Sequence, residues 1–294
     1  MRLSAKLGYW REKLTPTFLY ERALKSWYHR RTGFKLDLEH PLTFSDKINW
    51  IKLHGITPEM VRLSDKLLVR DWVKEKLSED YLVNLLGSWD RAQDLPFSGL
   101  PESFVLKANH GSHMNIVVRN KADLDLEKVK QKSNEWLKYN FAYMYGFQLQ
   151  YRDIKPKLIA EEFLVQDSSN PQVELADIKI HCFDGRPESI EFISGEAKNR
   201  RLSFFNLDWE MCEYHTATYP LHETLPERPS KLDDLISAAK TLSAGFPYVR
   251  VDLYQIGEQV KFGEMTFTPS SGAAKWLPEG ADRRLGDLIH LRNC

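Results

Sequence analysis

VRVDLYQIGEQVKFGEMTFTPSSG, residues 249–272, reads as one hairpin with strands expected over Tyr248–Tyr254 and Val260–Phe267. Side chains alternate across a strand, so Val249, Val251 and Leu253 share one face while Arg250, Asp252 and Tyr254 share the other. If Gly257–Gln259 form an odd-numbered loop, Asp252 faces Glu264 and Arg250 faces Thr266. A two-residue turn would place those pairs on opposite faces, because a one-residue slip inverts a strand. Facing carboxylates about 5 Å apart repel unless a cation or a shared proton lies between them. Mg²⁺ suits such a pair, since it takes one or two carboxylates plus phosphate oxygens. The competing reading is a solvated sheet face whose acids pair with Arg250 or Lys261 and contribute little.

Working outward, Asp184–Gly185 separates two apolar runs within 175–194, a strong hairpin signal. Thr43 and Asp46 have capping-box spacing for a helix running to Gly55, and Ser230 with Asp233 repeats the pattern for a helix ending at Gly245. Other helices are expected over 17–32, Asp65 to about Lys76, Leu124–Tyr139, Phe141–Gln150 and Arg284–Leu291. Other strands are expected over 81–86, Phe104–Leu106, Asn115–Val118 and Lys157–Leu164. Hairpins set between separate helices predict an α+β fold rather than a doubly wound parallel sheet.

Two further stretches hold candidate chemistry. In FVLKANHGS (104–112) a lysine ends a buried strand and a small polar loop follows, which can bring an ammonium and backbone N–H groups to a phosphate. The GxxxxGK[ST] spacing is missing, so this is no P-loop, and taken in isolation the residues favour a surface lysine before an ordinary turn. In IAEEFL (159–164) two adjacent acids cannot share a strand face, so one points inward and needs a partner. His110 and His113 have no second ligand pair at zinc spacing, and no GxSxG or GxGxxG occurs.

The chain's 294 residues amount to about two domains, enough for a core without disulfide or metal staples. Three widely spaced cysteines, Cys182, Cys212 and Cys294, form no disulfide framework. No apolar run reaches the roughly 18–20 residues of a membrane-spanning helix, and Glu12 and Lys13 interrupt any signal-peptide core, which predicts a cytoplasmic protein. The charges balance to zero, which argues against a nucleic-acid partner. That zero is uneven. Residues 1–35 hold nine basic residues and two acids, a segment of +7 that leaves −7 on the rest. Interleaved with Trp10, Phe18, Tyr20, Trp27 and Tyr28, the basic helix there either contacts an anionic membrane or packs on the body with its charges in solvent.

SDKLLVRDWV (64–73), FVLKANHGS (104–112), PKLIAEEFL (156–164), ADIKIHCFDG (176–185), YVRVDLY (248–254) and FGEMTFTPSSG (262–272) stand in this order along the chain. The succession resembles the ATP-grasp superfamily, and closely resembles its TupA-like branch, over roughly residues 43–290. The resemblance implies two α+β subdomains gripping ATP, with a helical extension over 1–40 and a catalytic unit over 41–294. That unit divides into an N-terminal part (41–96), a lid (97–156) and a C-terminal subdomain (157–294). It implies that Lys66 and Lys107 contact the ATP phosphates, with His110, Gly111 and Ser112 in a lid loop over them. Glu161 and the backbone of Glu162, Phe163 and Leu164 would bind adenine, Asp177 the ribose, and Lys179 would lie on the nucleotide side. Asp252 and Glu264 would hold Mg²⁺, with Thr266 where the superfamily usually has Asn, and Arg250 would stabilise charge on the transferring phosphoryl group.

The implied activity is ligation of a small-molecule or saccharide carboxylate to an amine through an acyl phosphate, in cell-surface polysaccharide biosynthesis. An ATP-dependent kinase acting on a hydroxyl and a non-catalytic nucleotide-binding protein are the alternatives. Arg200 and Arg201 read either as binders of an acidic substrate or as a solvated loop.

Overall fold

A computed structural model describes residues 3–165, 175–195 and 198–291. Helices α1 (Leu3–Lys13) and α2 (Tyr20–Thr32) precede α3 (Phe44–Trp50), which continues as one π turn to Gly55. The Thr43–Asp46 capping box is present in full. Helices α4 (Pro58–Ser64) and α5 (Val69–Lys76) follow, then β1 (Leu85–Trp89), β2 (Phe104–Ala108), β3 (Asn115–Val118), α6 (Leu126–Leu137) and β4 (Leu158–Glu162). The second half runs β5 (Asp177–Phe183), β6 (Arg186–Ser194), β7 (Arg201–Phe205), β8 (His215–Thr216), α7 (Leu232–Ser243), β9 (Tyr248–Ile256), β10 (Gln259–Thr266), β11 (Trp276–Leu277) and α8 (Ala281–Asp287).

Every strand pair is antiparallel, in sheets ordered β1-β4-β2-β3, β10-β9-β5-β6-β7 and β11-β8. The fold is α+β, as expected. The five-stranded sheet has its own core, in which Ile180, Val251 and Leu253 meet Leu235, Ala239 and Leu242 of α7. The four-stranded sheet has another, built on Leu106, Ala160, Val129 and Trp136. Each sheet is thus a separate layered unit, and the space between them is where a ligand can lie.

Several boundaries depart from the sequence reading. The strand expected at 81–86 begins at Leu85, because Ser78 caps a 3₁₀ turn over Glu79–Tyr81 and turns the chain first. The helix expected from Asp65 starts at Val69, since the Asp65 carboxylate accepts from the Leu67 and Leu68 amides and holds a turn. The expected helix Phe141–Gln150 is two 3₁₀ turns separated by Gly146 (φ 69°) and Phe147 (φ 57°). Ser230 accepts from Gln255 Nε2 instead of capping α7, and the closing helix ends at Asp287 rather than Leu291.

The basic N-terminal segment packs on the body. Tyr20, Leu24 and Tyr28 of α2 are buried with Leu36, Leu38 and Phe147. The Glu12 carboxylate, 4% exposed, accepts from the amides of Gly146 and Phe147. Its hydrogen bonds thereby hold the left-handed turn that interrupts the expected helix.

Candidate active site

The hairpin β9–β10 closes with a two-residue turn, Gly257–Glu258, between the paired Ile256 and Gln259. By itself this register would set Asp252 and Glu264 on opposite faces. A bulge at Gly263 restores them: Phe262 pairs with Leu253, but Glu264 pairs with Asp252 and Thr266 with Arg250. The expected facing pairs are present, though the extra residue lies in the strand and not in the loop. Gly263 is needed there because a Cβ would lie 3.0 Å from the Asp252 carbonyl oxygen and 3.0 Å from the Tyr254 ring. The apolar alternation shows the slip, since Val260 and Phe262 keep one parity while Met265 and Phe267 take the other.

Sheet order then extends the pair into a row. Glu264 opposes Asp252, Asp252 opposes Lys179, and Lys179 opposes Glu191, across four strands at one level. The Arg250 guanidinium lies beside this row and donates bidentately to Asp252 at 2.7 and 2.7 Å. It also approaches Glu191 at 3.5 Å and Glu264 at 3.7 Å. Lys66, from the turn before α5, donates to Glu264 at 2.8 Å and to the Gly111 carbonyl at 3.0 Å, so it ties the two sheets' loops together. Thr266 Oγ1 donates to Glu264 at 2.9 Å.

Burial raises carboxyl pKa values, and nearby cations lower them. At Glu264 Lys66 and Arg250 outweigh burial and hold the group well below its ordinary range. At Glu191 the hydrogen bond from His181, with Arg250 and Lys179, outweighs burial and brings it to about 2. Asp252 is pushed up to about 6 by burial, with Glu264 adding to the effect and Arg250 and Lys179 opposing it.

On the other sheet, Glu161 is the inward-pointing acid of its pair, and Glu162 is exposed. Lys107 donates to Glu161 at 2.6 Å and Arg70 at 3.2 Å, while Arg70 also donates to the Val83 carbonyl. A cleft of about 690 Å³ is lined by Asp177, Lys179, Arg250, Glu264 and Thr266 on one side and by Ser112 and Tyr151 on the other. A second cavity of about 310 Å³ is lined by Lys107, Glu162, Phe163, Leu164 and Tyr254, and Asp177 borders both.

The model of the family described as TupA-like ATPgrasp matches residues 46–290. The chain belongs to this family. The TupA-like chain also resembles solved structures of low identity. These include D-alanine–D-alanine ligase from Bacillus anthracis, with 15% identity, TM-score 0.45, 77% of this chain and 66% of that one covered. They include the ATP-grasp ligase PsnB with minimal precursor, Mg and ADP, with 12% identity, TM-score 0.39 and coverages of 83% and 64%. N5-carboxyaminoimidazole ribonucleotide synthetase from Thermus thermophilus follows with 13% identity, TM-score 0.36 and coverages of 70% and 45%. The chain therefore spans less than two thirds of the length of these structures. Comparison with curated proteins finds no match.

In this TupA-like ATP-grasp protein the loop at 109–112 is tied into the fold by buried polar contacts. Asn109 is fully buried, donates to Asp65 at 2.9 Å and accepts from the Lys157 amide at 2.7 Å. The His110 ring turns into the protein, with Nε2 3.3 and 3.2 Å from the carbonyls of Trp136 and Tyr139. Burial pushes its pKa down. Of the three expected loop contacts, the structure brings Ser112 to the cleft and sets the His110 ring behind it.

Among the described residues no group of three or more His, Cys, Asp or Glu side chains is arranged as a metal cage. The donors that fit Mg²⁺ are the facing Asp252 and Glu264, with the Thr266 hydroxyl beside them, and phosphate oxygens would complete such an oxygen set. The sequence reading missed Arg70 and Glu191. Glu191 alternates correctly for its face, but its place beside Lys179 depends on strand order, which spacing does not carry.

Proposed function

We propose that this protein is an ATP- and Mg²⁺-dependent carboxylate–amine ligase. The observation that carries the reading is the meeting of Arg250, Lys66 and Lys179 with the facing carboxylates Asp252 and Glu264 at one cleft. Lys66 and Lys107 would neutralise the ATP phosphates, and the smaller cavity, with Glu162–Leu164 and Asp177, has the lining for the nucleoside. Bound Mg²⁺ would supply charge neutralisation on the phosphates, held by Asp252 and Glu264. Arg250, preorganised by its bidentate hydrogen bonds, would stabilise charge on the transferring phosphoryl group.

In the proposed reaction a substrate carboxylate oxygen attacks the γ-phosphorus and ADP leaves. An amine nitrogen then attacks the acyl carbon, the bond to phosphate breaks, and the nitrogen loses a proton. Incubation with ATP, Mg²⁺, candidate acids and hydroxylamine tests this. A hydroxamate is expected, whereas a stable phosphorylated hydroxyl product in its place would identify a kinase.

We further propose that the acceptor belongs to cell-surface polysaccharide synthesis and that the protein works at the cytoplasmic face of an anionic membrane. Support comes from Leu7, Trp10, Leu14 and Phe18, which are exposed beside Lys6, Arg11, Lys13 and Arg22. Among the described residues no helix is long and apolar enough to cross a membrane. Salt-sensitive binding to anionic vesicles is expected, and loss of it in a Trp10→Ser/Leu14→Ser/Phe18→Ser variant. Binding unchanged by those substitutions would refute the proposal.

A further inference from the structure

At the end of the cleft beyond Thr266 lies a group of donors for which the nucleotide reading has no use. Gln148 is 4% exposed and lines this end, and its Nε2 has no hydrogen-bond partner. Its Oε1 accepts from Thr268 Oγ1 at 2.8 Å, and that hydroxyl in turn accepts from Gln150 Nε2 at 2.6 Å. A hydroxyl has one proton, so the chain has a direction. Along that direction both N–H groups of Gln148 Nε2 and the Gln150 carbonyl oxygen are left without a partner. With Gln148 Oε1 occupied by the Thr268 hydroxyl, the group of this side chain left without a partner is its amide N–H₂.

Arg31, from the last turn of α2, and Lys275 line the same cavity, and neither forms an ion pair among the described residues. A buried unpaired amide donor and two unpaired cations suit a ligand that brings negatively charged oxygens. We propose that this end of the cleft binds a carboxylate of the acceptor substrate, with Gln148 Nε2 and the Arg31 guanidinium as its donors. The assignment rests on the ligase reading and makes the N-terminal helices part of the acceptor site. Their hold on the site is visible elsewhere: Glu12 fixes the turn at Gly146–Phe147, directly before Gln148.

The test is calorimetric titration of the full chain, in ADP and Mg²⁺, with D-glucuronate, D-galacturonate and L-glutamate, using D-glucose as the uncharged control. ADP affinity is measured in parallel. At least one acid is expected to bind at millimolar concentration while glucose does not. Gln148→Met, which keeps the volume but removes the donor, is expected to weaken that acid about tenfold or more. Arg31→Gln, at an exposed position where folding is not at risk, is expected to act in the same direction. Acid affinity unchanged in both variants would overturn the proposal, as would the absence of binding by any of the acids. Intact ADP binding in either case would confine the failure to the acceptor site, whereas loss of ADP binding in the wild type would remove the ligase reading itself.

Discussion

Gly263 supports the site through the side chain it lacks. With the Asp252 carbonyl 3.0 Å from where its Cβ would be, any larger residue must push against a ladder backbone that cannot easily yield. Gly263→Ala is expected to cost about 1–3 kcal/mol in denaturant melts and to weaken nucleotide binding by separating Asp252 from Glu264. Unchanged stability and affinity would show that the bulge tolerates a side chain.

Lys52 makes a different residue-scale prediction. It is fully buried, donates to Asn49 Oδ1 and the Ser271 carbonyl, and lies 4.8 Å from the Trp27 ring centre. Burial lowers its pKa from 10.5 to about 7, with Glu12 opposing the shift. Between those values the unfolded chain binds more protons than the folded one, so stability rises with pH; below about 7 both states are protonated and the penalty is constant. From pH 7 to 9 the wild type should gain stability at a slope approaching about 1.4 kcal/mol per pH unit. Lys52→Met should flatten the curve over that window. Parallel curves for the two proteins would assign the slope to other groups.

At the scale of elements, what the sequence revealed was what is local. The Thr43–Asp46 box and the Asp184–Gly185 turn depend on neighbours a few residues apart, and both formed as read. Positive φ at Asp184 (48°) and Gly185 (73°) is what that dipeptide tolerates. The 141–151 stretch misled because its apolar spacing suits a helix, while its actual shape is imposed by Glu12, more than 130 residues earlier. The candidate site divides the same way. Asp252, Glu264 and Arg250 lie on one hairpin and were legible there, whereas the neighbours Lys179 and Glu191 are assembled by strand order and Arg70 by helix packing. α2 illustrates packing across elements, since Leu24 is fully buried against the residues that surround Phe147. Leu24→Ala is expected to cost about 2–5 kcal/mol by leaving a cavity there. A cost below about 1 kcal/mol in equilibrium unfolding would mean that the N-terminal helices are only loosely attached to the body.

At the scale of the molecule, two sheets with separate cores meet at a cleft crossed by polar contacts that include Lys66 to Gly111, Asp65 to Asn109, Arg70 to Glu161 and Thr268 to Gln148. Charge is arranged to match. A −7 main body would repel a polyanion on average, but Lys66, Lys107 and Arg250 stand at the cleft, each of these three already held by a carboxylate. A nucleotide there would exchange those internal pairs for its own phosphates and would bridge both sheets, so its binding should stabilise the whole fold. At a concentration of about 100 times its Kd, linkage gives about 2.7 kcal/mol, a thermal shift of several degrees. Glu264→Gln separates the contributions. The variant loses the proposed Mg²⁺ ligand and the partner of Lys66 but keeps the shape of the side chain, and comparing ligand-induced shifts within each protein cancels the change in apo stability. The shift from ATP with EDTA should persist in the variant, because Lys66 and Lys107 remain to meet the phosphates. The additional shift on replacing EDTA with Mg²⁺ should appear in the wild type and vanish in the variant. A Mg²⁺-dependent increment of equal size in both proteins would place the metal away from Glu264, and the row from Glu264 to Glu191 would then serve only to orient Arg250 and Lys179.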